Sequence, residues 1–441
     1  MSNAIDSLRP LPEIARSKAL LERALRVIPC ATQTLAKGPT QYVRGVAPSF
    51  LERGRGAYVY DVDGNKYLDF VMGLGPISLG YCHPAVDAAI RDQLDCGISF
   101  SQMHPLEVEV AERIHELVPS AEMVRFSKTG ADVTSAAIRL SRAHTGRSKV
   151  ITCGYHGWHD FSVASMARHA GVPEAVRQLT KTFQYNDLEA VATLLDDDTA
   201  CVILEPVAFE LPRPGFLAEL RKLCTNNGSL LIFDEMWTGF RVSLGGAQEY
   251  YGIKPDLSCF SKAIANGMPL SVVCGRRDVM RHCEDDVFFF TTFGGEALSL
   301  AAAAATIAVL QSQRVPEYLN TLGQKLSSGI EDIVCRHAIS CVRCVGLPCR
   351  SALEFCDPRV SVNETKSLVQ QELLRRGILW NGFHALSFSH GEKEIELLLT
   401  AYAEILPLVN DAIAHGTLSE SLAGAPIGAP LRAERIDEGV S

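Results

Sequence analysis

An α/β fold is what this sequence of 441 residues predicts: a large domain of mostly parallel sheet covered by helices, beside a smaller α+β lobe drawn from both chain ends. Two observations carry that reading. Five short runs are almost wholly apolar, the mark of strands buried on both faces. Between several of them lie segments whose apolar residues recur at helical spacing, and such alternation predicts a sheet covered on both sides.

The runs are KVITC (Lys149 to Cys153), ACVILEP (Ala200 to Pro206), SLLIFDE (Ser229 to Glu235), LSCFSK (Leu257 to Lys262) and SVVCG (Ser271 to Gly275). In GFLAELRKLCTNNG, residues Phe216, Leu217, Leu220, Leu223 and Cys224 share one helical face, and Gly228 stands where a helix would stop. VTSAAIRLSRAHTG repeats the pattern, with Val133, Ala136, Ala137 and Leu140 inward and Gly146 as its cap. Near the N-terminus, GAYVYDVDGNKYLDF reads as a hairpin turning at Asp63-Gly64. After about Val315 come a long helix, an alternating segment from Val342 to Phe355, and a helix near Glu392 to Leu408. The expected parts are an N-terminal segment over 1–70 that joins the small lobe, a large domain over 71–315, the rest of the small lobe over 316–414, and a weakly ordered tail over 415–441.

Composition narrows the function. A net charge of -9 gives no basic footprint for phosphate backbones, which argues against nucleic acid as a partner. No uninterrupted apolar run reaches the roughly 18 residues that span a bilayer, and the N-terminus lacks the apolar core of a secretory signal. Fourteen cysteines without a regular framework fit free thiols in the cytoplasm. Their densest group, Cys341, Cys344, Cys349 and Cys356, lacks the paired spacing of a zinc site and reads as strand and loop cysteines, so no metal is expected.

Chemistry-bearing residues gather at strand ends, where open α/β sheets bind ligands. Glu205, Asp234 and Lys262 each close an apolar run. A lysine there is a candidate amine nucleophile toward carbonyls. The turn SKTGAD, Ser127 to Asp132, opens a helix whose free N–H groups would suit a phosphate. CGYHGWHD puts Tyr155, His156 and Trp158 directly after a strand, where an aromatic could stack on a flat ring. Taken singly, an ion-paired lysine, an ordinary N-cap and simple packing fit these residues equally well. Together they describe a site for pyridoxal 5'-phosphate (PLP).

The chain resembles the class III aminotransferases of fold type I, and within them the glutamate-1-semialdehyde aminomutase-like group. The resemblance rests on RFSKTGADVTSAAIRLSRAHTGR, GYHGWHD, ILEPV, LIFDEMWTGFR, GGAQEYYGIKPDLSCFSKAIANGMPLS and TTFGGEALSLAAAAATI, together with the hairpin, and runs from about Gly56 to Ile307. It implies that Lys262 holds PLP as a Schiff base and moves the substrate proton, and that Asp234 sits against the pyridine nitrogen. It further implies Met236 and Tyr155 on the two ring faces, Glu205 near the 3-hydroxyl side, and Thr129, Gly130 and Ala131 around the phosphate. Thr292, with Thr291 as the competing assignment, would reach the phosphate of a partner subunit, which implies a homodimer with shared sites. His156 matches a histidine of the family, in a cofactor-side or a structural part.

Departures from the family pattern bear on the substrate. KTGADV replaces the aminomutases' NSGTEA, a change that spares the backbone N–H groups. Their SPVR segment, whose arginine takes the substrate carboxylate, has no counterpart in ATQTLAKGPTQYVRGVAPSF, although Lys37 and Arg44 lie in that stretch. Where the aminomutases carry a glutamate, WNGFHALSFSHG supplies aromatic and neutral polar surface instead, from Trp380, Asn381, Phe383 and His384. Without a planar fork for a carboxylate, the expected acceptor is a sugar-like carbonyl, as in the amino-sugar and aminoglycoside branch. The alternatives are an aminomutase or epimerase outcome from the same lysine, and a PLP-binding subunit without turnover.

Overall fold

The computed structural model describes residues 9–428, which fall into two compact units. The smaller takes 9–75, 79–83 and 318–428; the larger takes 76–78 and 84–317.

In the smaller unit, β1 (Leu51–Arg55), β2 (Tyr58–Asp61) and β3 (Lys66–Asp69) form an antiparallel run that β13 (Ile378–Leu379) extends in parallel. The β2–β3 turn falls at Asp63-Gly64. Gly64 adopts φ +94°, and the Asp61 carboxylate accepts the N–H groups of Asp63 and Asn65 at 3.0 and 2.8 Å. The stretch from Val342 to Phe355, expected as one alternating segment, is a hairpin of β11 (Val342–Leu347) and β12 (Arg350–Phe355), with β14 (Phe383–Ala385) alongside. Pro348 has no N–H to continue the ladder, so the chain turns there.

Helix Glu392–His415 is long and apolar enough, by length and composition, to cross a membrane. Core helices pass the same test, and its Ile395, Leu398, Tyr402, Ile405, Leu406 and Val409 are buried in the unit. Gly416 ends it in the left-handed region at φ +69°. The segment after it differs from a weakly ordered tail: Leu418 and Ile427 are buried, and the N–H groups of Ala423 and Ile427 bond Gln371 and Ser367. Few large apolar residues suffice here because backbone groups make the attachment. Residues 429–441 of the expected tail lie outside the described residues.

The larger unit holds a seven-stranded sheet in the order β4-β10-β9-β8-β7-β5-β6. Its members are β4 (Met123–Ser127), β5 (Lys149–Cys153), β6 (Thr180–Thr182), β7 (Thr199–Leu204), β8 (Leu230–Asp234), β9 (Leu257–Phe260) and β10 (Ser271–Gly275). Only β10 runs against its neighbours. Side chains alternate across the sheet. Ile203 and Ile232 pack with Ala136, Ala137 and Leu140 of helix Gly130–Thr145, while Val202, Leu231 and Phe233 pack with Leu217, Leu220 and Cys224 of helix Phe216–Asn227 on the other face. Gly146 and Gly228 cap these helices at φ +68° and +74°. By the same alternation Asp234 shares the face of Ile232 and points to the Gly130 helix. All fourteen cysteines are free, and no cluster fit for a metal occurs among the described residues.

Gly323, inside helix Val315–Arg336, lies against the Pro348 carbonyl, where an added Cβ would collide with backbone. Alanine normally gains about 1 kcal/mol over glycine within a helix. Here overpacking, about 1–3 kcal/mol, opposes that gain. Gly323→Ala is therefore expected to lower the urea midpoint; a raised midpoint would contradict this packing.

Candidate active site

Four parallel strands deliver the site at their carboxyl ends. β8 ends on Asp234, whose side chain is 3% exposed, and the loop after β5 brings His156, fully buried, to it: Nδ1 lies 2.7 Å from Asp234 Oδ2. An ionised carboxylate only accepts, so Nδ1 donates. The other ring nitrogen lies 3.0 Å from the Cys153 carbonyl, and the Met236 N–H donates to Asp234 Oδ1 at 3.1 Å. His156 is itself fixed: its N–H donates to Ser162 Oγ at 2.9 Å, and Thr134 Oγ1 donates to its carbonyl at 2.6 Å. The histidine left between two parts by sequence thus orients the buried acid.

The adjacent acid does different work. Glu235, fully buried, accepts from the N–H groups of Ala247 and Gln248 at 2.8 and 2.9 Å and from the Thr238 hydroxyl, closing the start of helix Ala247–Tyr251. Burial pushes its pKa up against those hydrogen bonds.

At the phosphate turn, Thr129 and Asp132 form a capping box. Thr129 N–H donates to Asp132 Oδ2 at 2.8 Å, and Asp132 N–H to Thr129 Oγ1 at 3.3 Å. Burial pushes the Asp132 carboxyl up, but bonds from Thr129 and Ser127 outweigh it and hold the group below its usual range. The box takes two of the orphan amides of the helix start, leaving those of Gly130 and Ala131 to meet a ligand. Lys128, where the aminomutases have asparagine, turns away to pair with Glu296 at 2.8 Å. The turn and the loop after β5 approach closely. A Cβ on Gly157, at φ +113°, would lie 2.7 Å from Ala131 Cβ, and one on Gly130 would lie 2.9 Å from Met236 Sδ.

β9 pairs with β8 so that Cys259 faces Asp234, and Lys262 follows three residues later. Lys262 is half-buried with φ +47°, a left-handed conformation that costs about 1–2 kcal/mol in a residue with a side chain. Its Nζ stands 4.2 Å from the ring centroid of Trp237. Trp237 went unremarked in the sequence. It lies inside DEMWTGFR, and only the fold reveals that its ring meets the lysine.

Tyr155 and Glu205 are half-buried, just past β5 and β7, and Met236 is 9% exposed just past β8. Thr292 is exposed, between the exposed rings of Phe290 and Phe293; Thr291 is half-buried and lines a cavity of about 360 Å³ with Ser127, Asp132 and Ser135. In the smaller unit, Trp380 and His384 are sealed in the core, and His384 bonds Ser351 and Tyr402. They do not form the open aromatic surface the sequence suggested.

Free amides at a helix start, a carboxylate held by a fixed histidine, and a strand-end lysine with glycines at the close approaches fit a phosphorylated, nitrogen-containing ring that carries an aldehyde. The family model for aminotransferase class-III matches residues 41–389. The chain belongs to the class-III aminotransferases. It is a PLP-dependent transaminase of fold type I, with PLP as its cofactor. It is 36% identical over 417 residues to glutamate-1-semialdehyde 2,1-aminomutase of Syntrophobacter fumaroxidans, covering 88% of this chain and 96% of that one. It is 32% identical to 3-aminobutyryl-CoA aminotransferase of Cloacimonas acidaminovorans over 407 residues, 89% and 97% of the two chains. The FumI protein of Sphingopyxis sp. MTA144, solved with PLP, superposes with a TM-score of 0.83 at 29% identity, over 91% of this chain and 99% of that one.

His156→Ala is expected to free Asp234 from its fixed orientation and leave a buried carboxyl oxygen without its hydrogen-bond donor. Cofactor affinity, followed by visible absorbance on titrating stripped protein, should fall about tenfold or more. Unchanged affinity would show that His156 only fills space.

Proposed function

We propose that this aminotransferase passes an amino group from an amino-acid or amine donor to the carbonyl of a sugar-like acceptor, as in amino-sugar or aminoglycoside assembly. PLP, when bound, supplies an aldehyde for amines and a pyridinium that withdraws electrons from bonds at the substrate carbon. The protein's own groups do the rest. Lys262 Nζ would hold the cofactor through its aldehyde carbon; once the donor's amine displaces it there, the freed amine would take the substrate proton and return it. Asp234 would sit beside the ring nitrogen and favour its protonated form, and His156 holds that carboxylate in place. Thr129, Gly130 and Ala131 would hold the phosphate, Tyr155 and Met236 would flank the ring, and Glu205 would order the 3-hydroxyl side.

The Asp234–His156 pair is the observation that carries the chemistry, since a carboxylate so completely buried needs a cation to face. The acceptor reading rests on the missing carboxylate fork: Lys37 and Arg44, the cations of the stretch where the aminomutases have SPVR, are both exposed. Trp380 and His384, buried in the smaller unit, add nothing to it. Aminomutase or epimerase chemistry is the second reading, favoured by the 36% identity to an aminomutase. We further infer a homodimer with shared sites, in the cytoplasm. Phe288, Phe290 and Phe293, exposed by 78%, 64% and 57%, lie near Thr292 in the chain and offer apolar surface suited to a second copy.

Holoenzyme titrated with glutamate and other amines should lose its visible cofactor band with one donor and regain it with a keto-sugar. Recovery only with glutamate-1-semialdehyde or other carboxylate-bearing acceptors would overturn the acceptor reading, and no response to any donor would overturn turnover itself.

A further inference from the structure

From Ser229 to Val242 every residue is buried except Trp237. The turn that carries it is pinned on both sides: Thr238 donates to Glu235, the Gly239 N–H donates to the Glu235 carbonyl at 2.9 Å, and a Cβ on Gly239 would strike the Phe260 ring. One indole therefore emerges from a rigid turn, and its face meets the Lys262 amine at 4.2 Å. A carbon that exchanges a proton with that amine must come within about 3 Å of it. Such a carbon enters the neighbourhood of the indole, and the ring that carries it can lie against the indole face.

We propose that Trp237 sets acceptor specificity, its indole face being the surface on which the acceptor's ring lies at the reacting carbon. This rests on the reading of a sugar-like acceptor given above. The face of an indole is apolar and carries the negative part of the ring quadrupole. It favours a cation, as Lys262 shows, or an uncharged surface of C–H groups, such as one side of a sugar ring. It disfavours a carboxylate placed next to the reacting carbon on that side. Absence of the SPVR arginine and presence of this face select in the same direction by separate means.

The test uses holoenzyme with Trp237→Ala and Trp237→Phe. It compares kcat/KM for a cyclic keto-sugar and for pyruvate, with cofactor affinity and acceptor-induced quenching of tryptophan fluorescence as readouts independent of turnover. Loss of the indole should lower the sugar-to-pyruvate ratio about tenfold in Trp237→Ala, the effect of removing a modest apolar contact. Trp237→Phe should restore most of the ratio, cofactor affinity should stay within about twofold, and the sugar-induced quenching should vanish in both variants. An unchanged ratio in Trp237→Ala overturns the proposal, as does a parallel loss of cofactor affinity, which would make Trp237 a cofactor support. If the wild type turns over no sugar, the acceptor reading fails separately. The ratio of phenylpyruvate to pyruvate then decides: a fall in Trp237→Ala upholds the indole face, and no fall overturns it.

Discussion

A carboxylate at the end of a buried strand is the constraint on which the larger unit turns. The Asp234 side chain is 3% exposed, and burying an unpaired carboxylate charge costs several kcal/mol even after relaxation. His156 donates a hydrogen bond to one oxygen, and the Met236 N–H binds the second. That histidine is in turn held by Ser162 and by Thr134, the latter from the helix that starts at Gly130. One hydrogen-bonded pair thus couples the end of β8, the loop after β5 and the start of the Gly130 helix.

Close approach is the second requirement. Gly157 and Gly130 let the loop, the helix start and Met236 meet without side chains between them. Lys262 accepts a left-handed backbone at the end of β9, strain of the kind that persists where the surroundings fix a functional residue. The paired strands then bring two segments of ordinary appearance, DEMW and FSK, into contact through the indole of Trp237 and the amine of Lys262.

Much of this was legible in the sequence because local rules govern it. Continuous apolar runs marked β5, β7, β8, β9 and β10, glycines marked the ends of the two helices covering the sheet, and Asp63-Gly64 marked a hairpin. Hydrophobicity carries no sign of direction, so nothing marked β10 as antiparallel; β6, with three residues, was too short to register. Trp380 and His384 read as polar-aromatic surface because composition cannot say which way a side chain faces, and both turned inward. Lys128 looked like a change in the phosphate turn, but its partner Glu296 lies 168 residues away, beyond any local pattern.

The central claim is that Asp234, oriented by His156, keeps positive charge on the cofactor's ring. The most direct measurement is the 15N NMR signal of holoenzyme loaded with cofactor labelled at the pyridine nitrogen, in the wild type and in Asp234→Asn. The account predicts a protonated nitrogen in the wild type at neutral pH and an unprotonated one in the variant. An unprotonated nitrogen in the wild type, or the same protonated signal in both, would contradict it.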